Sequence, residues 1–172
     1  MATIENGAAL RPDVPVDASM SVRFGKRTLR LNLAPNAVTD GDVWVYDRVS
    51  GILASGNLVT LPTPFLDTAC PEGWRRVLDQ VWATPFTKLV PSHGSPMTRT
   101  QFSTYRKAYG AVIDCAKTAR PKADCAAEWV KGVEPLLGPD PTERQRAQDM
   151  TAYYVQDVLR ANGGKSPLCK AA

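Results

Sequence analysis

Hydrophobic and polar residues alternate along much of the first third of the chain, which is the pattern of β-strands. Residues 21–33 alternate on both sides of Gly25-Lys26, so we predict two strands joined by a tight turn. Two further β-rich runs, 43–46 and 52–54, flank the turn-like segment 47–51 and predict a second hairpin. The sheet is therefore expected to precede most of the helices in chain order.

From residue 72 onwards, apolar residues recur every three or four positions, which predicts amphipathic helices. The predicted helices cover 72–82, 98–117, 122–133 and 142–162, with a short strand at 88–90. Thr98 and Thr142 precede apolar faces and are the predicted N-caps. The helical spacing of Tyr105, Tyr109, Tyr153 and Tyr154 favours packing in a core or an interface over lining a cleft.

Length and composition indicate one globular domain of ordinary size, since the chain has 172 residues, of which 44% are hydrophobic and 22% charged. The formal net charge of +4 is scattered along the chain, and no nucleic-acid-binding module is recognisable, so we expect no nucleic-acid partner. No apolar stretch is long enough to span a bilayer, and the first residues do not have the pattern of a signal peptide. As written, the chain is expected to be cytoplasmic, with no membrane partner.

The four cysteines favour a different compartment, because an even number of cysteines suggests two disulfides in an exported protein. Three pairings are open. We favour Cys115 with Cys125, since two helices joined by a short connection would bring them together, which leaves Cys70 to pair with Cys169. A periplasmic or secreted location is expected if the natural N-terminus is missing.

Three segments, in order, resemble the C-terminal half of the metallo-β-lactamase-fold hydrolases. The first is Ala37-Val38-Thr39-Asp40-Gly41-Asp42 before a strand. The second is Ile52-Leu53-Ala54-Ser55-Gly56-Asn57-Leu58-Val59, which is similar to the family strand that ends in Gly-Asp. The third is Leu89-Val90-Pro91-Ser92-His93-Gly94. The resemblance implies an α/β fold, namely the C-terminal half of an αββα sandwich, with strands first and helices afterwards. It divides the chain into an irregular leader (1–20), the fold itself (21–117) and a C-terminal helical extension (118–172).

The resemblance also shows which metal ligands are missing. Val38 stands where the family has a ligand histidine, and Asn57 stands where it has a bridging aspartate. The family's first histidine cluster belongs to an N-terminal half that this sequence lacks. His93 is the remaining ligand position, interpreted as a relic, and a single histidine does not hold a catalytic zinc. No cofactor is expected as written, and zinc is expected only if a missing N-terminal half completes the site.

Two further residues of these segments are expected to shape the loop. Asp42 is either a group that orients a ligand histidine or a turn residue that accepts local amide hydrogen bonds, and we favour the turn. Thr39 belongs with it. Asn57 is either a modified active-site residue or a turn residue after Gly56, and we favour the turn because Gly-Asn is a common turn dipeptide. No residue is assigned a catalytic role.

The sequence therefore favours a truncated or degenerate hydrolase of this fold that is inactive and metal-free as an isolated chain. One alternative is a zinc-dependent hydrolase completed by a missing N-terminal segment or a partner chain, and another is a small interaction protein. A half-fold would leave one sheet face uncovered. The strands supply many apolar side chains for that face, which predicts a homodimer or a complex with an N-terminal-half partner. These strand side chains are more than one layer of helices is expected to cover, and they are Leu29, Leu31, Leu33, Val43, Val45, Ile52 and Leu89.

Overall fold

A computed structural model describes residues 14–170. Its centre is a five-stranded sheet whose strand order follows the chain order. The first four strands are antiparallel, and the fifth runs parallel to the fourth. The strands are β1 (Met20–Phe24), β2 (Arg27–Pro35), β3 (Gly41–Asp47), β4 (Ile52–Thr60) and β5 (Lys88–His93). Both predicted hairpins are present, and residues 1–13 of the predicted leader lie outside the described residues.

Local chemistry fixes the turn between β3 and β4. The Asp47 carboxylate accepts a hydrogen bond from the Val49 amide at 3.0 Å and another from the Ser50 hydroxyl at 2.9 Å. Gly51 closes the turn with a φ of 70°, a left-handed conformation that a glycine adopts without steric cost. An aspartate that bonds its own turn amides and a glycine at positive φ are strong hairpin signals in the sequence.

Four helices follow the main antiparallel strands. They are α1 (Pro71–Ala83), α2 (Arg99–Ala116), α3 (Lys122–Val133) and α4 (Pro141–Tyr153). Short 3-10 turns cover Glu134–Leu136 and Arg160–Asn162, and a π-helical segment, Tyr154–Leu159, continues α4. None of the helices in the described part of the chain is long and apolar enough to span a bilayer.

One predicted helix cap is confirmed and the other is wrong. Thr98 forms a capping box at the start of α2, in which its backbone amide donates to the Gln101 side chain at 2.8 Å. The cap of α4 is Asp140, whose carboxylate accepts the Thr142 amide at 2.8 Å. Pro141 is the reason, because a proline fits the first helical position and places the cap one residue before it.

The two faces of the sheet differ in what covers them. The side chains of Ala34, Trp44, Tyr46 and Leu53 point to the helices and belong to the buried core. Leu89 pairs with Leu53 on this side and is fully buried. Val90, the next residue, takes its place on the opposite face and is 37% exposed.

That opposite face, called the open sheet face below, is aliphatic, and none of its side chains belongs to the buried core. Strand register places matching side chains of adjacent strands side by side on it, for example Leu31 against Val45 and Val45 against Ala54. Its members are Met20, Val22, Leu29, Leu31, Leu33, Val43, Val45, Ile52, Ala54 and Val90. Most are half-buried by their strand neighbours, while Ile52, Ala54 and Val90 are exposed.

Aromatic residues fill the space between the sheet and the helices. Trp74 of α1 lies 4.9 Å from Tyr109 of α2, and Tyr105 lies 5.7 Å from Trp129 of α3, measured between ring centroids. The Trp74 indole donates to the Leu58 carbonyl at 3.0 Å, so its polar atom is satisfied inside the core. Tyr105, Tyr109 and Tyr154 are buried in this core, and Tyr153 is 49% exposed.

Two disulfides close the structure, with the pairing that we favoured from the sequence. Cys115 of α2 joins Cys125 of α3 with a Cα–Cα separation of 5.6 Å, and we call this the short-range disulfide. Cys70, immediately before α1, joins Cys169 with a separation of 5.1 Å, and we call this the long-range disulfide. Both Cα separations fall in the ordinary range for disulfides.

Candidate site at one edge of the sheet

The sheet topology brings the three sequence-predicted ligand positions to one edge. β2 ends and β3 begins at this edge, because Pro35 pairs with Gly41. β4 and the parallel β5 both end there, because Thr60 pairs with His93. Val38 therefore lies in the β2–β3 turn (residues 36–40), Asn57 near the end of β4, and His93 at the end of β5. Loops that follow strand ends are a usual place for functional side chains.

The β2–β3 turn is packed tightly against the start of α1. The Val38 side chain is 1% exposed, and its carbonyl accepts a hydrogen bond from the Thr68 hydroxyl at 2.6 Å. The Cys70 amide donates to the Ala37 carbonyl at 2.9 Å. The turn is thus held by the chain that leads into α1, and the side chain at position 38 is apolar and enclosed.

Asp42 and Thr39 bond to one another across the same turn. The Asp42 carboxylate accepts the Thr39 amide at 2.9 Å, and the Thr39 hydroxyl accepts the Gly41 amide at 3.3 Å. Burial raises the pKa of Asp42, while hydrogen bonds from the Thr39 and Val38 amides oppose that rise. These contacts are those of a turn-shaping carboxylate.

The turn predicted at Asn57 is wrong, because Asn57 lies within β4. Gly56 has a φ of 54°, and the pairing of β4 with β5 shifts register on both sides of it, which is a β-bulge. The bulge uses the conformational freedom that suggested a turn, while the strand continues to Thr60. The Asn57 side chain is exposed, and its carbonyl accepts the Thr60 hydroxyl at 3.2 Å.

Thr60 connects Asn57 to the end of β5. Its hydroxyl lies 3.1 Å from the Ser92 hydroxyl, and its backbone is paired with His93. The His93 side chain is exposed, and its carbonyl accepts the Leu61 amide at 3.1 Å. The structure therefore brings the surroundings of Asn57 and His93 together through one threonine.

Sequence reasoning missed Thr60 and its contacts with Ser92 and Tyr105. The Tyr105 hydroxyl accepts the Thr60 amide at 3.3 Å from a fully buried position, and burial raises the pKa of Tyr105 well above its usual value. Tyr105 lies 45 residues from Thr60 along the chain, so no local pattern links them. The one sequence signal for this cluster was the Ser92 hydroxyl, directly before His93.

The residues at this edge do not fit a catalytic zinc. Valine has no donor atom, and the asparagine amide is a poor bridging ligand, so His93 is the one strong ligand among the three positions. Within residues 14–170 there is no group of three histidine, cysteine, aspartate or glutamate side chains placed to hold a metal ion. All four cysteines are in disulfides.

Comparison with known proteins identifies the fold. No protein-family model and no curated protein matches this sequence. Solved structures do match. A metallo-β-lactamase from Pontibacter korlensis is 21% identical with a TM-score of 0.52, and the match covers 58% of this chain and 49% of that one. A metallo-β-lactamase family protein from Thermus thermophilus is 13% identical with a TM-score of 0.53, covering 89% of this chain and 50% of that one.

A third similar structure is a sec-alkylsulfatase from Pseudomonas sp., with 17% identity, a TM-score of 0.55, and coverage of 84% of this chain and 26% of that one. The chain thus spans about half the length of the two metallo-β-lactamase structures and about a quarter of the sulfatase. At these identities the matches establish the fold, which is a mixed α/β fold of metallo-β-lactamase type, as the resemblance predicted.

Proposed function

We propose that the isolated chain is a metal-free assembly module of the metallo-β-lactamase fold without hydrolase activity of its own. The observation that carries the proposal is the enclosed Val38 side chain at the first ligand position, beside a sheet edge that offers one imidazole. A hydrolytic zinc needs three protein ligands and an open position for water. One imidazole and one neutral amide supply neither the affinity nor the charge that lowers the pKa of a bound water.

Metal analysis of the purified chain tests this proposal. We expect less than one zinc per chain, bound with weak affinity. His93→Ala should lower that affinity modestly, as for a surface histidine, and the control variant Lys88→Ala should leave it unchanged. The contradicting result is one zinc per chain with sub-micromolar affinity that His93→Ala abolishes. That result would require ligands in addition to the three positions at this edge.

A second candidate function is a zinc hydrolase completed by another chain or segment. It is favoured by one observation, namely that the side chains of Asn57 and His93 are exposed at the edge and accessible to further ligands. Zinc that binds only after a partner is added, and that is lost in His93→Ala, would establish this candidate over the first. Zinc content in the complex equal to that of the free chain would exclude it.

The open sheet face is the proposed assembly surface, and its occupant is a second aliphatic sheet. Its ten side chains form one contiguous aliphatic patch across the strands, and a contiguous exposed apolar patch normally marks an interface. Two such faces packed together would remove the apolar side chains of both from water. For this chain alone, the matching sheet is that of a second copy, because two twisted aliphatic sheets pack face to face.

The oligomeric state tests the proposed surface. Sedimentation of the wild-type chain at tens of micromolar should give a dimer, and Leu31→Arg, in the middle of the face, should give a monomer. Val49→Arg is the matched control, because Val49 is 87% exposed in the β3–β4 turn and does not belong to the face. A well-folded, monodisperse wild-type monomer would contradict the proposal, as would a dimer that Leu31→Arg leaves intact.

The two disulfides support an oxidising compartment for the assembled protein, since disulfides persist mainly outside the cytosol. We therefore propose a periplasmic or extracellular location. Fractionation of the source cells, with thiol labelling of each fraction, tests the location. Fully reduced cysteines in the native protein would exclude it.

A further inference from the structure

A concave surface of about 440 Å³ lies at the other end of the sheet, remote from Val38, Asn57 and His93. The ends of β1, β2 and β3 that form it are opposite to those at the candidate edge, and it opens on the helix-facing side of the sheet. Its lining residues are Ser21, Thr28, Arg30, Tyr46, Arg48 and Val49. We call this surface the basic concavity.

The basic concavity concentrates positive charge without neutralising it. Neither Arg30 nor Arg48 forms an ion pair with any residue in 14–170. Most of the ion pairs within these residues are formed by other arginines. None of the lining residues is acidic. Asp47, the adjacent carboxylate in the sequence, is bonded to Arg27 at 3.2 Å and to its own turn.

Arg30 is held in place by a buried amide. Its Nε donates to Asn32 Oδ1 at 3.1 Å, and Asn32 Nδ2 donates back to the Arg30 carbonyl at 3.4 Å. Asn32 is 8% exposed, so a buried polar group is used to orient an exposed guanidinium. The bond occupies Nε and leaves the terminal Nη donors for another acceptor.

The remaining lining groups supply further donors and a fixed wall. The Ser21 and Thr28 hydroxyls make no hydrogen bond to another described residue, so both are available as donors. The Tyr46 hydroxyl donates to the Pro85 carbonyl at 3.0 Å, which fixes the ring at the base of the concavity. Val49 adds an apolar side.

We propose that the basic concavity binds a small ligand through a phosphate- or sulfate-type oxyanion. Two guanidinium groups with planar, multiple donors match the several oxygens of a tetrahedral dianion, and the two hydroxyls add neutral donors. A carboxylate has a single charge and two oxygens, so it satisfies fewer of these groups. Tyr46 and Val49 line the same concavity and would contact an organic part of the ligand.

Titration of the intact chain with inorganic phosphate, followed by NMR chemical shifts at constant ionic strength, tests the site. We expect saturable binding in the millimolar range, with shifts centred on residues 21, 28, 30 and 48. Sulfate should bind similarly, and acetate should bind at least about tenfold more weakly, as expected for the loss of one charge-assisted contact. Arg30→Gln and Arg48→Gln should each weaken phosphate binding by about tenfold or more.

Two further variants distinguish a built site from general positive charge. Arg146→Gln removes one positive charge from an exposed position on α4 and should leave phosphate affinity within about twofold. Asn32→Asp should weaken binding as much as Arg30→Gln, because a carboxylate at this position pairs with the Arg30 guanidinium and competes with the ligand.

Equal weakening by Arg30→Gln, Arg48→Gln and Arg146→Gln would overturn the proposal, as would unsaturable phosphate binding or acetate binding as tight as phosphate. Far-UV circular dichroism of each variant establishes that it is folded. The concavity lies at the other end of the sheet from the candidate edge and on the opposite side of the sheet from the open face, so these results are separate from the zinc and dimer tests.

Discussion

Replacing Gly73 with alanine tests the close contact between α1 and the β2–β3 turn, on which the geometry of the candidate edge depends. A Cβ atom at position 73 would lie 1.8 Å from the Asn36 carbonyl oxygen and 3.0 Å from its carbon. Both are backbone atoms, so no side-chain rotation relieves the overlap. Either the turn that carries Val38 or the first turn of α1 must move.

The two physical effects of this substitution have opposite signs. In a helix without steric conflict, alanine is more stable than glycine by about 1 kcal/mol. Inserting an atom into a closely packed contact costs about 1–3 kcal/mol, and an overlap with backbone belongs at the upper limit or above it. We therefore expect Gly73→Ala to lower the free energy of unfolding by about 2 kcal/mol. In a domain of this size that corresponds to a melting temperature lower by about 4–8 °C.

Gly110→Ala is the matched control, because Gly110 lies in α2 and a Cβ there would have no atom within 4 Å. This variant should be more stable than the wild type by about 0.5–1 kcal/mol. Urea unfolding with both disulfides intact measures each difference. If Gly73→Ala is as stable as Gly110→Ala, then α1 does not contact the turn as described, and the argument for an enclosed Val38 fails with it.

Three further predictions follow from side-chain contacts. Replacing both cysteines of the long-range disulfide with serine should lower the free energy of unfolding by about 2 kcal/mol more than the same replacement at the short-range disulfide. The long-range disulfide closes a loop of 99 residues and the short-range one a loop of 10. Equal losses in urea unfolding would contradict this. The Arg75 guanidinium, bonded to the Asp114 carboxylate at 2.7 Å, holds the pKa of Asp114 below its usual value. The pKa of Asp114 is therefore lower in the folded than in the unfolded chain. The stability that this pair contributes is present above the ordinary aspartate pKa and is lost as pH falls through the folded pKa. Asp114→Asn should accordingly flatten the dependence of stability on pH in that acid range, and an unchanged slope would refute the assignment. Arg99→Met should lower the free energy of unfolding by about 2–3 kcal/mol, because Arg99 donates to the Thr84 and Trp82 carbonyls at 2.6 and 2.8 Å and lies 4.3 Å above the Trp82 ring. Thermal melting measures the difference, with Arg146→Met as the control. Equal melting temperatures for the two variants would show that these contacts contribute nothing.

The sequence predicted most of the elements, because their signals are local. Alternation around Gly25 and Gly51 located both hairpins, and three- or four-residue spacing located the helices. The N-cap at Thr98 was predictable because it directly precedes the apolar face of α2. The predicted N-cap of α4, Thr142, lies two residues after the observed one, Asp140. The sequence pattern did not distinguish between these two caps.

The candidate site was predictable in part. Motif resemblance aligned Val38, Asn57 and His93 with metal-ligand positions of the metallo-β-lactamase fold. The sheet topology places all three residues at one edge. The supporting contacts were not predictable. Thr60 reaches Ser92 across 32 residues and Tyr105 across 45, and contacts at such separations depend on strand register and helix docking.

By itself, the sequence determined the order of strands and helices, the apolar stripes of the helices and the positions of the hairpin turns, because each depends on neighbours within a few residues. Only the tertiary structure decided that β4 continues through a bulge past Asn57, that Leu89 rather than Val90 joins the core, and that Arg30 and Arg48 share one concavity. The physical reason is that the side-chain period of a strand is two residues, so its face is set by register with its partners. Register depends on pairing between parts of the chain that are distant in sequence, such as that of Leu53 with Leu89.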